Sequence, residues 1–218
     1  MDRRSLSLRW LVLALSLALL SAATVGCKSL MESVAIFTNG FDDPAEWDGL
    51  KGKKVVVVCK PLTEMEFNNQ RVDHALAEEI SEYLKANVKK IQIIDSQKVA
   101  TLMDEKGMDD YLEIGKALKA EKVVAIDIES FGVLDGQTLF KGRATVRIQV
   151  YDVAEKQVEW HKSPPQFEYP RIGSTPAQDF PEIEFRNKFV GILAKQIARC
   201  FYPHDPREDC GSDAESIR

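Results

Sequence analysis

The sequence predicts an α/β (α+β) fold, a mixed sheet of about five strands with helices packed on it. Three observations predict it. Val55-Val56-Val57-Val58-Cys59 is an unbroken apolar, β-branched run, which marks a strand buried on both faces. Val72, Leu76, Ile80, Tyr83 and Leu84 then recur at helical spacing, and Ile91, Ile93 and Ile94 follow as a second strand. From Leu139 to Asp152, Ala144, Val146, Ile148 and Val150 alternate with Arg143, Thr145, Arg147 and Gln149, as in an antiparallel strand with one solvated face.

Along the chain, Lys53–Lys60 is a strand stopped by Pro61, and Arg71–Asn87 is a helix with Glu78, Glu79, Glu82 and Lys85 on its outer side. Lys90–Asp95 is the second strand. Strand, helix and strand in this compass form a right-handed βαβ unit with parallel strands. Ser96 caps a short helix that Gly107 ends, and Asp110–Ala120 is the next helix, with Tyr111, Ile114 and Leu118 on one side. In Val123–Phe131, Val124, Ile126 and Ile128 alternate with Ala125, Asp127 and Glu129, giving one buried and one wet face. Asp135-Gly136 marks a turn into the long Leu139–Asp152 strand, and Gln157–His161 returns as its hairpin partner. Residues 163–181 form an ordered loop with five prolines. Glu182–Phe201 is the last helix, with Phe185, Phe189, Ile192, Leu193 and Ile197 facing the core. The element order is therefore βαβααβββα.

With 44% hydrophobic and 29% charged residues, the 218-residue chain is ordinary globular protein, which excludes collagen-like and wholly disordered classes. Its formal charge of −5 argues against nucleic acid as a partner.

The N-terminus reads as an address. Arg3, Arg4 and Arg9 precede an uncharged apolar stretch from Trp10 to Ala23, too short to span a membrane comfortably. Ala23-Thr24-Val25-Gly26-Cys27 then resembles a bacterial lipobox, with Thr24 where leucine is usual. The resemblance implies cleavage after Gly26 and lipidation of Cys27. The alternative is an ordinary secretory signal with an incidental cysteine. Two or three acyl chains on one residue hold a domain to a membrane, whereas a single chain binds reversibly. The processed chain would carry about −7, so lipid rather than charge does the targeting. Lys28, standing where an aspartate commonly signals inner-membrane retention, points to the outer membrane. The expected organisation is a signal peptide over 1–26, a lipidated tether over 27–52 that packs partly on the domain, one periplasmic domain over 53–202 and a polar tail over 203–218. Export admits disulfides. Cys200 and Cys210 are the natural pair, against the alternative of free thiols, and spacing does not decide between them. Cys59 reads as a buried small hydrophobe.

The Val55–Cys59 strand, Asp95-Ser96-Gln97-Lys98-Val99, the Ile114–Val124 segment and the Arg143–Asp152 hairpin together resemble a group of envelope lipoproteins. The group includes penicillin-binding-protein activators and the periplasmic domain of curli-secretion lipoproteins, which share an anticodon-binding-domain-like fold. The resemblance covers roughly residues 53–200. It implies a lipid-anchored domain that binds or supports another envelope protein in wall synthesis or secretion. The chain lacks the long Pro-rich tether of the first kind and the barrel-forming hairpins of the second.

No chemistry-bearing constellation stands out. His74, His161 and His204 are scattered and do not have metal-ligand spacing. Asp127 and Glu129 share a strand face and would serve an envelope hydrolase, the alternative function. They are more simply cross-strand partners of Arg143 and Arg147. Gly132, Gly136 and Gly142 read as turn and bulge glycines. No cofactor is implied, and the protein reads as non-enzymatic. The candidate partner surface is the wet sheet face: Arg143, Arg147, Gln149 and Tyr151, with Trp160 joining if the hairpin register allows, residue types enriched in interaction hot spots.

Overall fold

The structure is a computed structural model that describes residues 42–62, 71–179 and 181–207, with side chains of 104–106 left aside. Cys27 and its signal, most of the tether and Cys210 lie outside the described residues. The chain divides into two units, residues 1–42 and Asp43–Arg218, and the described elements belong to the second.

Its strands are β1 (Lys54–Pro61), β2 (Gln92–Ile93), β3 (Lys122–Asp135), β4 (Leu139–Asp152), β5 (Gln157–Lys162), β6 (Phe167–Tyr169) and β7 (Thr175–Pro176). Its helices are α1 (Val72–Asn87), α2 (Ser96–Lys106), α3 (Tyr111–Ala117) and α4 (Glu182–Ala198), the last continued by a 3-10 turn over Arg199–Phe201. The sheet order is β2-β1-β3-β4-β5, with β6 and β7 also pairing with β4. β1 is parallel to both neighbours, and the β3–β4 and β4–β5 pairs are antiparallel. The mixed sheet and its five-strand path match the expectation from sequence. The two short strands β6 and β7 arise within the proline-rich segment, where alternate Phe167 and Tyr169 pack inward.

One sheet face carries Val55, Val57, Cys59, Val124, Ile126, Ile128, Val146, Ile148 and Val150, and α1 and α4 close it. This is the larger core. Gly142 permits the approach of α4: a Cβ there would sit 2.4 Å from the Phe189 ring. Gly142 is thus a packing glycine, not the turn or bulge residue expected. The second face carries Val56, Val58 and Val123, and α2 and α3 cover it with Val99 and Ile114, beside Ile94. Gly115 seats α3 in the same way, its missing Cβ lying 2.7 Å from Val123 and 2.8 Å from Val153.

Several boundaries differ from expectation. The α2 cap is Asp95, whose carboxylate accepts from the Gln97 N–H at 2.9 Å, and Ser96 is already helical. α3 stops at Ala117 because Lys119 turns left-handed (φ 53°), and the Ala120 N–H closes on the Gly115 carbonyl at 2.9 Å. β3 runs past Phe131 to Asp135, with register shifts between Ile128 and Ser130 and between Gly132 and Leu134.

Residues 43–52 pack on the domain. Asp43 and His204 exchange backbone hydrogen bonds of 2.8 and 3.1 Å, and the Trp47 N–H donates to the Cys200 carbonyl at 3.0 Å. Leu50 is fully buried, and Trp47 stacks on Trp160 at 6.3 Å.

Candidate partner-binding face

Register aligns the polar side chains of the second face into rows. Lys60, Asp127 and Arg147 are neighbours across β1, β3 and β4, and Ala125, Gln149 and His161 form the next row across β3, β4 and β5. α2 and α3 cover the β1 side of this face and reach Tyr151. Beyond Tyr151, Arg147 and His161 are exposed, and Arg143, Thr145 and Gln149 are half-buried. The open half of the face is therefore built from β4 with its flanking strands.

Asp127 does not look at water, as its place in the alternation suggests. It is 6% exposed, because Tyr111 folds over it from the first turn of α3 and donates a hydrogen bond of 2.5 Å to its carboxylate. Asp110 fixes that first turn by accepting from the Glu113 N–H at 2.8 Å. Tyr111 lies 5.6 Å from the Tyr151 ring, and the Lys60 ammonium stands 4.2 Å above the Tyr111 ring while bonding Asp109 at 3.0 Å. Burial, then the Asp127 carboxylate, push the Tyr111 hydroxyl well above its ordinary pKa. Tyr151 is raised too, first by burial and then by the negative charge of Asp127.

The arginines are held by acids of their own chain. Arg147 bonds Glu129 at 2.7 Å, and Arg143 bonds Asp135 at 3.0 Å. The Ser174 hydroxyl also donates to Asp135 at 2.8 Å, and this bond, then Arg143, holds the Asp135 carboxyl below its ordinary value. On the opposite, main-core side of the sheet, in register with Val55, Lys122 is buried and bonds Asp152 at 2.6 Å and also Glu159. Burial works against its charge, the two carboxylates outweigh burial, and Lys122 is held above its ordinary value. The open surface thus presents pre-oriented, charge-paired arginines beside Gln149 and Tyr151, not a bare cationic patch.

Trp160 lies on the other face. Its cross-strand partner is Val150, and it packs with Trp47 and Phe201 against the main core. The cause is a register shift between Val150 and Tyr151: Tyr151 pairs with Val158 but Val150 with Trp160, so Glu159 is an inserted residue that flips the side-chain order. His161, not Trp160, stands opposite Gln149. Tyr111 and Lys60 are the members of this site that sequence reasoning does not assign to it. The capping residue Asp110 immediately before Tyr111 is the available signal.

The remaining candidates lie apart. Cys59 is buried in β1, and burial raises its thiol well above the ordinary value. Cys200 is 5% exposed, its sulfur 3.8 Å from the Lys162 ammonium and 3.9 Å from Glu46, and burial is the main cause that pushes it up to about 11. His74 sits on α1 beside Asp73 at 3.6 Å. Among the described residues no three His, Cys, Asp or Glu side chains converge to hold a metal ion. Two cavities, of about 450 and 200 Å³, are lined by residues other than Asp127 and Glu129.

No protein-family model and no curated protein matches the sequence. Solved structures with partial similarity include PelC, crystallised as a dodecamer, from Paraburkholderia phytofirmans (14% identity over 73% of this chain and 92% of that one, TM-score 0.45). Lipoprotein GNA1162 from Neisseria meningitidis overlaps with 12% identity over 66% and 96% of the two chains and a TM-score of 0.40. The LpoB C-terminal domain from Salmonella enterica overlaps with 14% identity over 62% and 90% and a TM-score of 0.33. Bacterial lipoproteins are thus among the neighbours, at scores too low to carry function.

Proposed function

We propose that this chain is a non-enzymatic, lipid-anchored accessory protein of the bacterial envelope, supporting wall synthesis or secretion by binding another envelope protein. Acylation at Cys27 holds it, with the domain facing the periplasm from the outer membrane. The observation that carries the binding role is the half-open second face of the sheet. There Arg147, Gln149 and Tyr151 are presented at the edge of an ordered aromatic and ion-pair network. Arginine and tyrosine whose rotamers are already fixed lose little further freedom on binding, which is what an interaction surface needs.

The hydrolase alternative is less well supported. Asp127 is engaged by a protonated tyrosine and Glu129 by Arg147, so neither carboxylate is a free general base in this arrangement.

Two substitutions test the anchor and the face separately. Cys27→Ser should move the protein from membranes to the soluble fraction and abolish incorporation of labelled palmitate. Arg147→Glu should leave it membrane-bound but remove its crosslinked adduct. A soluble wild-type protein contradicts the anchor, and an unchanged adduct in folded Arg147→Glu removes this face as the binding site.

A further inference from the structure

The geometry points to a second binding site on the opposite side of the sheet: a groove between β6 and α4 that takes an extended peptide segment of a partner protein by strand addition. The groove measures about 450 Å³, within the range of sites that bury a small ligand or a few residues. Phe167, Tyr169, Phe189, Ile192 and Leu193 line it.

Three features select an extended peptide. First, β6 pairs with β4 on one side and with no strand on the other among the described residues, so one row of main-chain donors and acceptors is left at the groove's wall. An open edge of this kind is the template for an added strand. Second, α4 overhangs that edge. Alternate side chains of a strand laid along β6 would point at half-buried Phe167 and Ile192, while the others face water. Third, Tyr169 is 3% exposed, yet its hydroxyl has no hydrogen-bond partner among the described residues. Its ring rests against Phe185 at 6.0 Å and beneath the Lys188 ammonium at 5.7 Å, so the ring is fixed and only the oxygen is unserved. A buried orphan hydroxyl is costly, and a shift of the side chains that cover it would let a main-chain carbonyl arriving in the groove satisfy it.

Proline brackets the edge. Pro164 and Pro165 precede β6 and Pro170 follows it, which limits an incoming strand to a short register and guards against open-ended pairing. The groove is therefore fitted to a short segment with apolar residues at every second position. This inference does not depend on the role of the Arg147 face.

The probe is a displayed library of random 12-residue peptides selected on the folded domain, followed by affinity measurement on synthesised winners. Enriched peptides should alternate apolar and polar residues and should slow amide exchange in β6. Ile192→Arg, which puts a charge into the groove, should weaken them at least tenfold. Tyr169→Phe should weaken them about threefold to tenfold while leaving the melting temperature unchanged or higher, because it removes an unsatisfied buried hydroxyl. A role for Tyr169 in packing alone would not separate binding from stability in this way. Failure to enrich any peptide, or winners indifferent to both substitutions, overturns the proposal. So does a concentration-dependent dimer that Ile192→Arg dissolves, since the groove would then belong to a second copy of the chain.

Discussion

Tyr111 reaches from the first turn of α3 to Asp127 in the middle of β3 and donates a 2.5 Å hydrogen bond to its buried carboxylate. That contact joins a helix to the sheet and fixes where the open half of the second face begins. Tyr111→Phe leaves Asp127 buried without this donor and should destabilise the domain by about 1–3 kcal/mol, read from denaturant midpoints. The contact also sets an alkaline limit. An unfolded tyrosine ionises near pH 10, whereas native Tyr111 keeps its proton higher, so the native state binds more protons there and stability falls as pH rises. The loss of stability above about pH 10 should be shallower in Tyr111→Phe than in wild type.

Gly142 and Phe189 form a tight approach of α4 to the sheet. Gly142→Ala should cost about 1–3 kcal/mol by overpacking. A smaller partner, Phe189→Leu, should recover part of the loss in the double variant. Additive losses in a double-mutant cycle would show that the two sites do not meet.

Leu50 is fully buried in the main core and is the point at which the tether expected over 27–52 packs most closely on the domain. Leu50→Ala should lower stability by about 2–5 kcal/mol. Thermal unfolding of the full-length variant checks this, and an unchanged midpoint would mean that residues 43–52 are not part of the folded domain.

Ile148 and Arg147 are adjacent on β4 and face opposite ways, one fully buried and one exposed. Ile148→Ala should cost about 2–5 kcal/mol. Arg147→Glu gives up a largely exposed ion pair and sets a new carboxylate beside Glu129, a loss of about 1 kcal/mol or less. Equal losses in the two variants would mean that the second face is covered where the structure leaves it open.

Long periodic elements are legible in the sequence because their patterns are dictated by burial. The Val55–Val58 run, the α1 stripe of Val72, Leu76, Ile80 and Leu84, and the alternation of Val146, Ile148 and Val150 all lie where expected. What is not legible depends on single residues meeting across the chain. Asp127 fits a wet alternating strand until Tyr111 covers it, and no local pattern announces a contact sixteen residues away. Trp160 fits the wet face until one inserted residue, Glu159, reverses the side-chain order of β5. Gly142 resembles any turn glycine, and only the position of Phe189 on a distant helix gives it a packing role. The candidate face is therefore visible as a row on β4, but its aromatic lid and its true neighbour, His161, come from tertiary structure.

The open face around Gln149 is proposed to meet another envelope protein while the chain is anchored. A photo-crosslinking residue placed at Gln149 in the full-length protein, with one at Glu82 on the outer side of α1 as control, tests this directly in intact cells. The expected result is a discrete adduct from position 149 that Arg147→Glu removes, and none from position 82. No adduct at 149, or the same adduct from both positions, would contradict it.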